Sequence, residues 1–232
     1  ICHCLVGSEM CIRDRSPNNV EGLTNLKFLV SGLTTTIYIS IVSIIISMVI
    51  GFIVAVPSLA KSKFLTYINI GYVEIVRAIP LLVLILWIYY GLPIMTGISF
   101  SPFVSGIIAL SISESAFQAE IFRAGINSIK KSQWEAGSSL GLSFFRKLRL
   151  VILPQAIKNI LPAIGNQFVY VLKMSSLVSI IGIGDLTRKA NELVVTTYRP
   201  LEIYTFLILE YLILILIVSY LVRKLEKKLN KD

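Results

Sequence analysis

Beyond residue 11 this sequence has no cysteine, and its only histidine is His3. All three cysteines, Cys2, Cys4 and Cys11, share the opening segment ICHCLVGSEMC with that histidine, so the remaining chain carries no redox information. The Cys and His spacing fits no common zinc pattern, and the segment reads unlike the chain that follows, so no metal site is expected. No G-x-x-x-x-G-K-[ST] phosphate loop occurs, which leaves the chain without a visible means of hydrolysing nucleotide. Aromatic-and-basic RNA motifs are missing too, and no oxyanion site is evident that would turn its serines and lysines into a hydrolase. Charge is scarce: 15% of the 232 residues are charged against 55% hydrophobic.

What is present is apolar length. A mean hydropathy of +0.80 is too high for an ordinary soluble domain and indicates an integral membrane protein. In such a chain a net charge of +9 marks lysines and arginines that hold loops on the cytoplasmic side, with no nucleic acid implied. Residues 1–16, which include CLVGSEMCIRDR, resemble translated adapter or read-through sequence and are set aside; residues 17–232 read as one domain.

Charge-free or nearly charge-free runs then predict an all-α fold with five transmembrane helices. Phe28 to Ala60 has no charged residue and exceeds the roughly 20 residues a helix needs to cross the hydrocarbon. Its Thr36, Ser40, Ser43 and Ser47 put small hydroxyls on one face, the pattern of close helix packing. Phe64 to Met95 is a second span, kinked at Pro80, in which Glu74 and Arg77 are spaced to pair on one face. That pair is either a structural ion pair or part of a transport path. Phe103 to about Ile129 is the third, with Ser111, Glu114, Ser115 and Gln118 at three and four residue offsets forming a polar stripe. Intramembrane carboxylates face a bundle interior or a water-filled cavity, so Glu114 is the first choice for a substrate path.

Leu161 to Ile183 is the fourth span, striped by Asn166, Tyr170 and Lys173, with Ser175 and Ser176 following. Lys173 is placed to pair with Glu114 or to meet an anionic carboxylate. Residues Gly184 to Pro200 read as an extramembrane connection with a short helix, and Ile203 to Val222 as the fifth span, whose Glu210 receives no role. Lys61, Lys63, the loop from Arg123 to Lys158 and the tail from Arg223 to Lys231 are the basic segments. Alternate connections lack such an excess, so the N-terminus is expected outside and the C-terminus in the cytoplasm.

Between the third and fourth spans lies QWEAGSSLGLSFFRKLRLVILP, Gln133 to Pro154. Ser132 and Glu135 have capping-box spacing, Gly141 suits a left-handed turn, Ser143 suits a second cap, and Pro154 is expected to end the second helix. The prediction is helix, turn, helix on the cytoplasmic side.

Glu135, Ala136, Gly137, Gly141 and the run Val151-Ile152-Leu153-Pro154 resemble the EAA loop of ABC importer permeases, with mild departures at Gly137 and Val151. The resemblance extends over about residues 27 to 229, through YVEIVRAIPLL, AEIFRAGI and SSLVSIIGI, and is similar to the polar amino acid branch (histidine, glutamine, arginine and cystine types). It implies a multi-pass permease of the bacterial inner membrane whose loop acts as a cytoplasmic coupling helix. Glu135, Ala136, Gly137, Gly141, Leu153 and Pro154 would couple it to a separate dimer of ATPase subunits, which hold ATP and Mg. It further implies a second permease copy or homologue and an extracytoplasmic amino-acid-binding protein. No cofactor is expected in this chain itself, and its remaining neighbour is membrane lipid. Glu74, Arg77, Ser111, Glu114, Gln118, Asn166, Tyr170, Lys173 and Ser175 are the candidate substrate-path residues. Two other readings remain open: an ion-coupled secondary transporter using Glu114 and Lys173, and a noncatalytic membrane scaffold.

Overall fold

A computed structural model describes residues 20–58 and 63–229, all of whose regular structure is helical. The segment set aside at residues 1–16 and its cysteines lie outside the described residues. The helices are α1 (Val20–Ser58), α2 (Lys63–Ala78), α3 (Leu81–Leu86), α4 (Leu92–Thr96), α5 (Pro102–Asn127), α6 (Lys131–Ser139), α7 (Phe144–Lys147), α8 (Leu153–Met174), α9 (Leu186–Thr197) and α10 (Pro200–Leu229). Three stretches are long and apolar enough to cross a membrane, Asn25–Pro57, Phe144–Ile181 and Pro200–Lys228. The pair Phe64–Ala78 and Leu81–Thr96 makes a fourth if it counts as one span. That pair bends by 90° at Pro80, where the ring removes a helical hydrogen bond and pushes the preceding residue out of helical geometry.

The centre of the molecule is α1 laid along α5. Thr36, Ser40, Ser43 and Ser47 are all buried, and Gly51 continues their face. A Cβ built on Gly51 would stand 2.5 Å from Gln118 Cβ and 2.9 Å from the Ser115 carbonyl, so the backbones touch. Lipid tails give apolar side chains little reason to prefer each other, and close contact through small residues is what holds such a pair. Two apolar clusters flank this seam. Ala55, Val76, Ala119, Ile126, Ile152 and Ile160 join α1, α2, α5 and α8 at the end near α6. Ile39, Ile85, Leu110, Val178 and Ile183 join α1, α3, α5 and the segment that follows α8 at the other end.

Opposite α6, α9 seats on α1 through Asp185, which is fully buried and lies outside the apolar spans. Its carboxylate accepts from the backbone N–H groups of Thr187 (3.3 Å) and Arg188 (2.9 Å), capping α9, while the Leu186 N–H donates to Thr36 Oγ1 at 3.2 Å. Burial pushes the Asp185 carboxyl up from 3.8 to about 6 against the opposing pull of those bonds. Because the folded value exceeds the unfolded one, this group's stabilising contribution is complete below about pH 4 and is lost as pH rises through about 6. Asp185→Asn keeps an oxygen to cap the helix and carries no charge. We expect its thermal midpoint at pH 7 to equal or exceed that of the parent, and the pH 4 to 6 slope to flatten. Asp185→Ala should instead lose about 1 kcal/mol or more, the value of a cap.

Candidate functional site: the α6–α7 loop and the α2–α5 cavity

The predicted helix, turn, helix is present, with different local bonding. Helix α6 starts two residues earlier than a capping box on Ser132 allows: Lys130 is the cap, Ser132 lies inside the helix, and no side chain caps the start. Glu135 therefore reaches back four residues to Lys131 Nζ, 3.5 Å away, with both side chains exposed. Gly141 takes φ +70° and lets its N–H bond the Ser138 carbonyl, with the Leu142 N–H on Gly137, so the turn closes as expected. Ser143 stands at the start of α7 in extended geometry without a side-chain bond. The hairpin is braced by Trp134 stacked on Phe144, centroids 6.0 Å apart, and by Lys147, whose stem covers Gly137 and whose ammonium donates to Ser138 Oγ at 2.8 Å. Leu140 and Phe145 remain more than 70% exposed beside it.

Pro154 does not end the second helix. The chain passes from α7 through a π-helical turn, Leu148–Ile152, directly into α8, with Leu153 and Pro154 as the first residues of the next α-helical segment. The wider turn already breaks the i to i−4 register, so the missing proline N–H leaves no ladder bond unmade. Leu148 and Ile152, both buried, anchor the turn in the core.

Inside the bundle, the predicted stripe on α5 is enclosed. Ser111, Glu114 and Gln118 are at most 1% exposed; Ser111 Oγ donates to the Ser43 carbonyl, and Gln118 faces Gly51 with neither amide atom hydrogen-bonded. Glu114 accepts a short hydrogen bond from Gln167 of α8, so the pairing with Lys173 is not made. Asn166, Tyr170 and Lys173 instead lie on the exposed side of α8, because the residue aimed at α5 is the neighbouring Gln167, about 100° further round the helix. Ser175 is buried and bonds the Leu172 carbonyl.

Glu74 and Arg77 do share a site, though not with each other as partners. Arg77 Nη1 donates to Glu120 Oε2 at 3.0 Å, and Arg123 Nη2 takes the other carboxylate oxygen at 3.3 Å. The Arg77 guanidinium also lies over the Phe117 ring, 4.8 Å from its centroid, and Phe117 approaches Tyr170 of α8 at 6.3 Å. The neighbouring helix offers a carboxylate and an aromatic face at once, and that combination outweighs an i, i+3 contact along α2. Between α2 and α5 these side chains border a cavity of about 490 Å³, lined by Asn69, Glu74, Arg77, Glu120 and Arg123 among others. Glu120, Phe117 and Asn69 were not singled out in the sequence; Glu120 and Arg123 at the end of the α5 stripe were the available signal.

Residues 47–231 match the family described as the binding-protein-dependent transport system inner membrane component. The chain belongs to this family. The permease is 34% identical over 210 residues to the arginine transport system permease protein ArtQ of Bacillus subtilis (strain 168), covering 90% of this chain and 96% of ArtQ. It is 32% identical over 206 residues to the glutamine transport system permease protein GlnP of Escherichia coli (strain K12), covering 88% and 94%. Among solved structures, it matches one described as an amino acid ABC transporter with histidines at TM-score 0.82 and 37% identity, covering 92% of this chain and 99% of that one. The MetNI methionine ABC transporter, at TM-score 0.77 and 21% identity over 88% and 97% of the two chains, shares the fold. The permease is thus a transport subunit of an ABC importer system, and such a system places ATP hydrolysis in a separate subunit.

Proposed function

We propose that this permease carries polar amino acids into the cytoplasm, driven by a separate ATPase dimer that holds ATP and Mg and docks on the α6–α7 hairpin. The observation that carries the coupling role is the hairpin itself. It leaves Glu135, Leu140 and Phe145 exposed at the foot of an uninterrupted helix, α7 through α8. Ala136 keeps the exposed face of α6 low, Gly137 lets the Lys147 stem close over it, Gly141 sets the turn, and Leu153 and Pro154 join the hairpin to α8. Counting α5 and the bent α2–α4 pair as spans gives five crossings. The basic loop and tail then lie in the cytoplasm and the N-terminus outside. The exposed Asn166, Tyr170 and Lys173 are costly against lipid, so a second copy or a homologous permease faces them across the substrate path. A binding protein delivers the amino acid from the outer side.

The test is reconstitution of the permease with its ATPase and binding protein in vesicles. Uptake of polar amino acids that requires hydrolysable ATP supports the proposal; uptake that persists without ATP and follows an ion gradient overturns it. An ion-coupled carrier built on Glu114 and Lys173 has little support in the geometry, since Gln167 holds Glu114 and Lys173 is exposed elsewhere. A scaffold would bind partners and move no solute.

A further inference from the structure

The cavity between α2 and α5 contains two carboxylates and two guanidiniums, but they are not equally available. Glu120 is spent: one oxygen accepts from Arg77 at 3.0 Å and the other from Arg123 at 3.3 Å. Arg77 and Arg123 each commit one nitrogen to it, whereas a guanidinium carries five N–H donors in a planar fork. The Phe117 ring, its centroid 4.8 Å from the Arg77 Cζ, covers one side of the guanidinium, and its remaining N–H groups stay available to a ligand. Glu74, on the same wall, pairs with no residue among those described. Asn69 gives one amide N–H to the Val54 carbonyl at 2.9 Å and so retains its acceptor oxygen and one N–H.

The unspent inventory is therefore donors for one anion, one carboxylate for one cation, and one neutral amide that can both accept and donate. We propose that this cavity is a site for a zwitterionic amino acid with an uncharged carboxamide side chain, and that it disfavours dibasic amino acids. This deepens the import reading above and rests on it. The α-carboxylate would take the Arg77 and Arg123 forks, the α-ammonium would take Glu74, and the side-chain amide would donate to Asn69. A second cation on the ligand finds no second free carboxylate and stands near two guanidiniums, an arrangement that costs rather than gains. At about 490 Å³ the volume is within the usual range for small-molecule sites. Overall similarity does not decide the matter, because relatives named for arginine and for glutamine are 34% and 32% identical to this chain.

The decisive measurement is equilibrium binding of radiolabelled L-glutamine and L-arginine to the permease assembled with its ATPase in nanodiscs, with neither ATP nor binding protein present. Glutamine should bind at least tenfold more tightly than arginine, and unlabelled asparagine should displace it. Glu74→Gln should weaken glutamine at least tenfold, with an unchanged melting temperature showing that the fold survives. Arg123→Gln frees one oxygen of Glu120 and should narrow the preference over arginine about tenfold. Arginine binding as tightly as glutamine, or indifference to Glu74→Gln, overturns the assignment. ATP-driven uptake of glutamine by the full system with no binding in nanodiscs also overturns it and leaves the import reading standing. Absence of ATP-driven uptake of any polar amino acid defeats that reading instead.

Discussion

Gly51→Val is expected to remove the folded permease from the membrane almost entirely. The added Cβ alone would meet Gln118 Cβ at 2.5 Å, the Ala119 nitrogen at 2.8 Å and the Ser115 carbonyl oxygen at 2.9 Å. Two of those three atoms are backbone of α5, so no rotamer change clears the clash and the helices must separate. Separation also pulls apart the buried row from Thr36 to Ser47 and the Ser111 bond to Ser43, which depend on the same approach. Overpacking a tight core costs roughly 1–3 kcal/mol and occasionally more, and a two-branched side chain against fixed backbone belongs at the upper end. Gly71→Ala provides the contrast. Nothing lies within 4 Å of its position, so the same kind of change in a helix interior should stabilise by up to about 1 kcal/mol. Thermal melting of both variants in nanodiscs, with the yield of folded protein, tests the pair. A Gly51→Val midpoint equal to that of the parent would mean that α1 and α5 are not held this closely.

Glu135→Arg should leave the fold intact and cut ATP-driven uptake at least tenfold. Among the described residues the only partner of its carboxylate is Lys131, 3.5 Å away, and the two side chains are 64% and 91% exposed. A solvent-exposed i, i+4 pair contributes about 0.3–0.5 kcal/mol, far too little for its loss to unfold anything. A large functional loss must then arise where Glu135 meets another protein, and reversing its sign there replaces attraction by repulsion. Lys131→Ala separates the two explanations, because it breaks the same internal pair while leaving the carboxylate in place. Uptake near the parental rate in Lys131→Ala with a tenfold fall in Glu135→Arg supports the docking role. Parental uptake by Glu135→Arg removes Glu135 from the coupling surface.

The signals that local chemistry controls were legible in the chain. The charge-free run after Phe28 is α1, Pro80 is a bend, and Gly141 has the left-handed geometry its turn needs. The spacing of Glu135, Gly141 and Pro154 led to the family that residues 47–231 match. Partnerships across helices were not legible, since sequence offsets along one helix do not show what stands opposite. Arg77 found Glu120 and Phe117 on α5 in place of Glu74, and Glu114 found Gln167 in place of Lys173. The second case turned on one residue of register: Asn166 and Gln167 are adjacent in the chain but point about 100° apart. The helix stop expected at Pro154 failed for a related reason. Only the packing of Leu148 and Ile152 reveals the turn that accommodates the proline.

That turn has a mechanical consequence. From Phe144 through Met174 the backbone is one continuous helix about 45 Å long, at 1.5 Å per residue, gripped by the core at its wide turn and lacking a ladder bond further on at Pro162. The grip acts as a fulcrum. Tilting the short arm that bears Phe144 and Phe145 would swing the first turns of α8 the opposite way, and Pro162 is the point that decides how much of that swing reaches Tyr170 and Lys173.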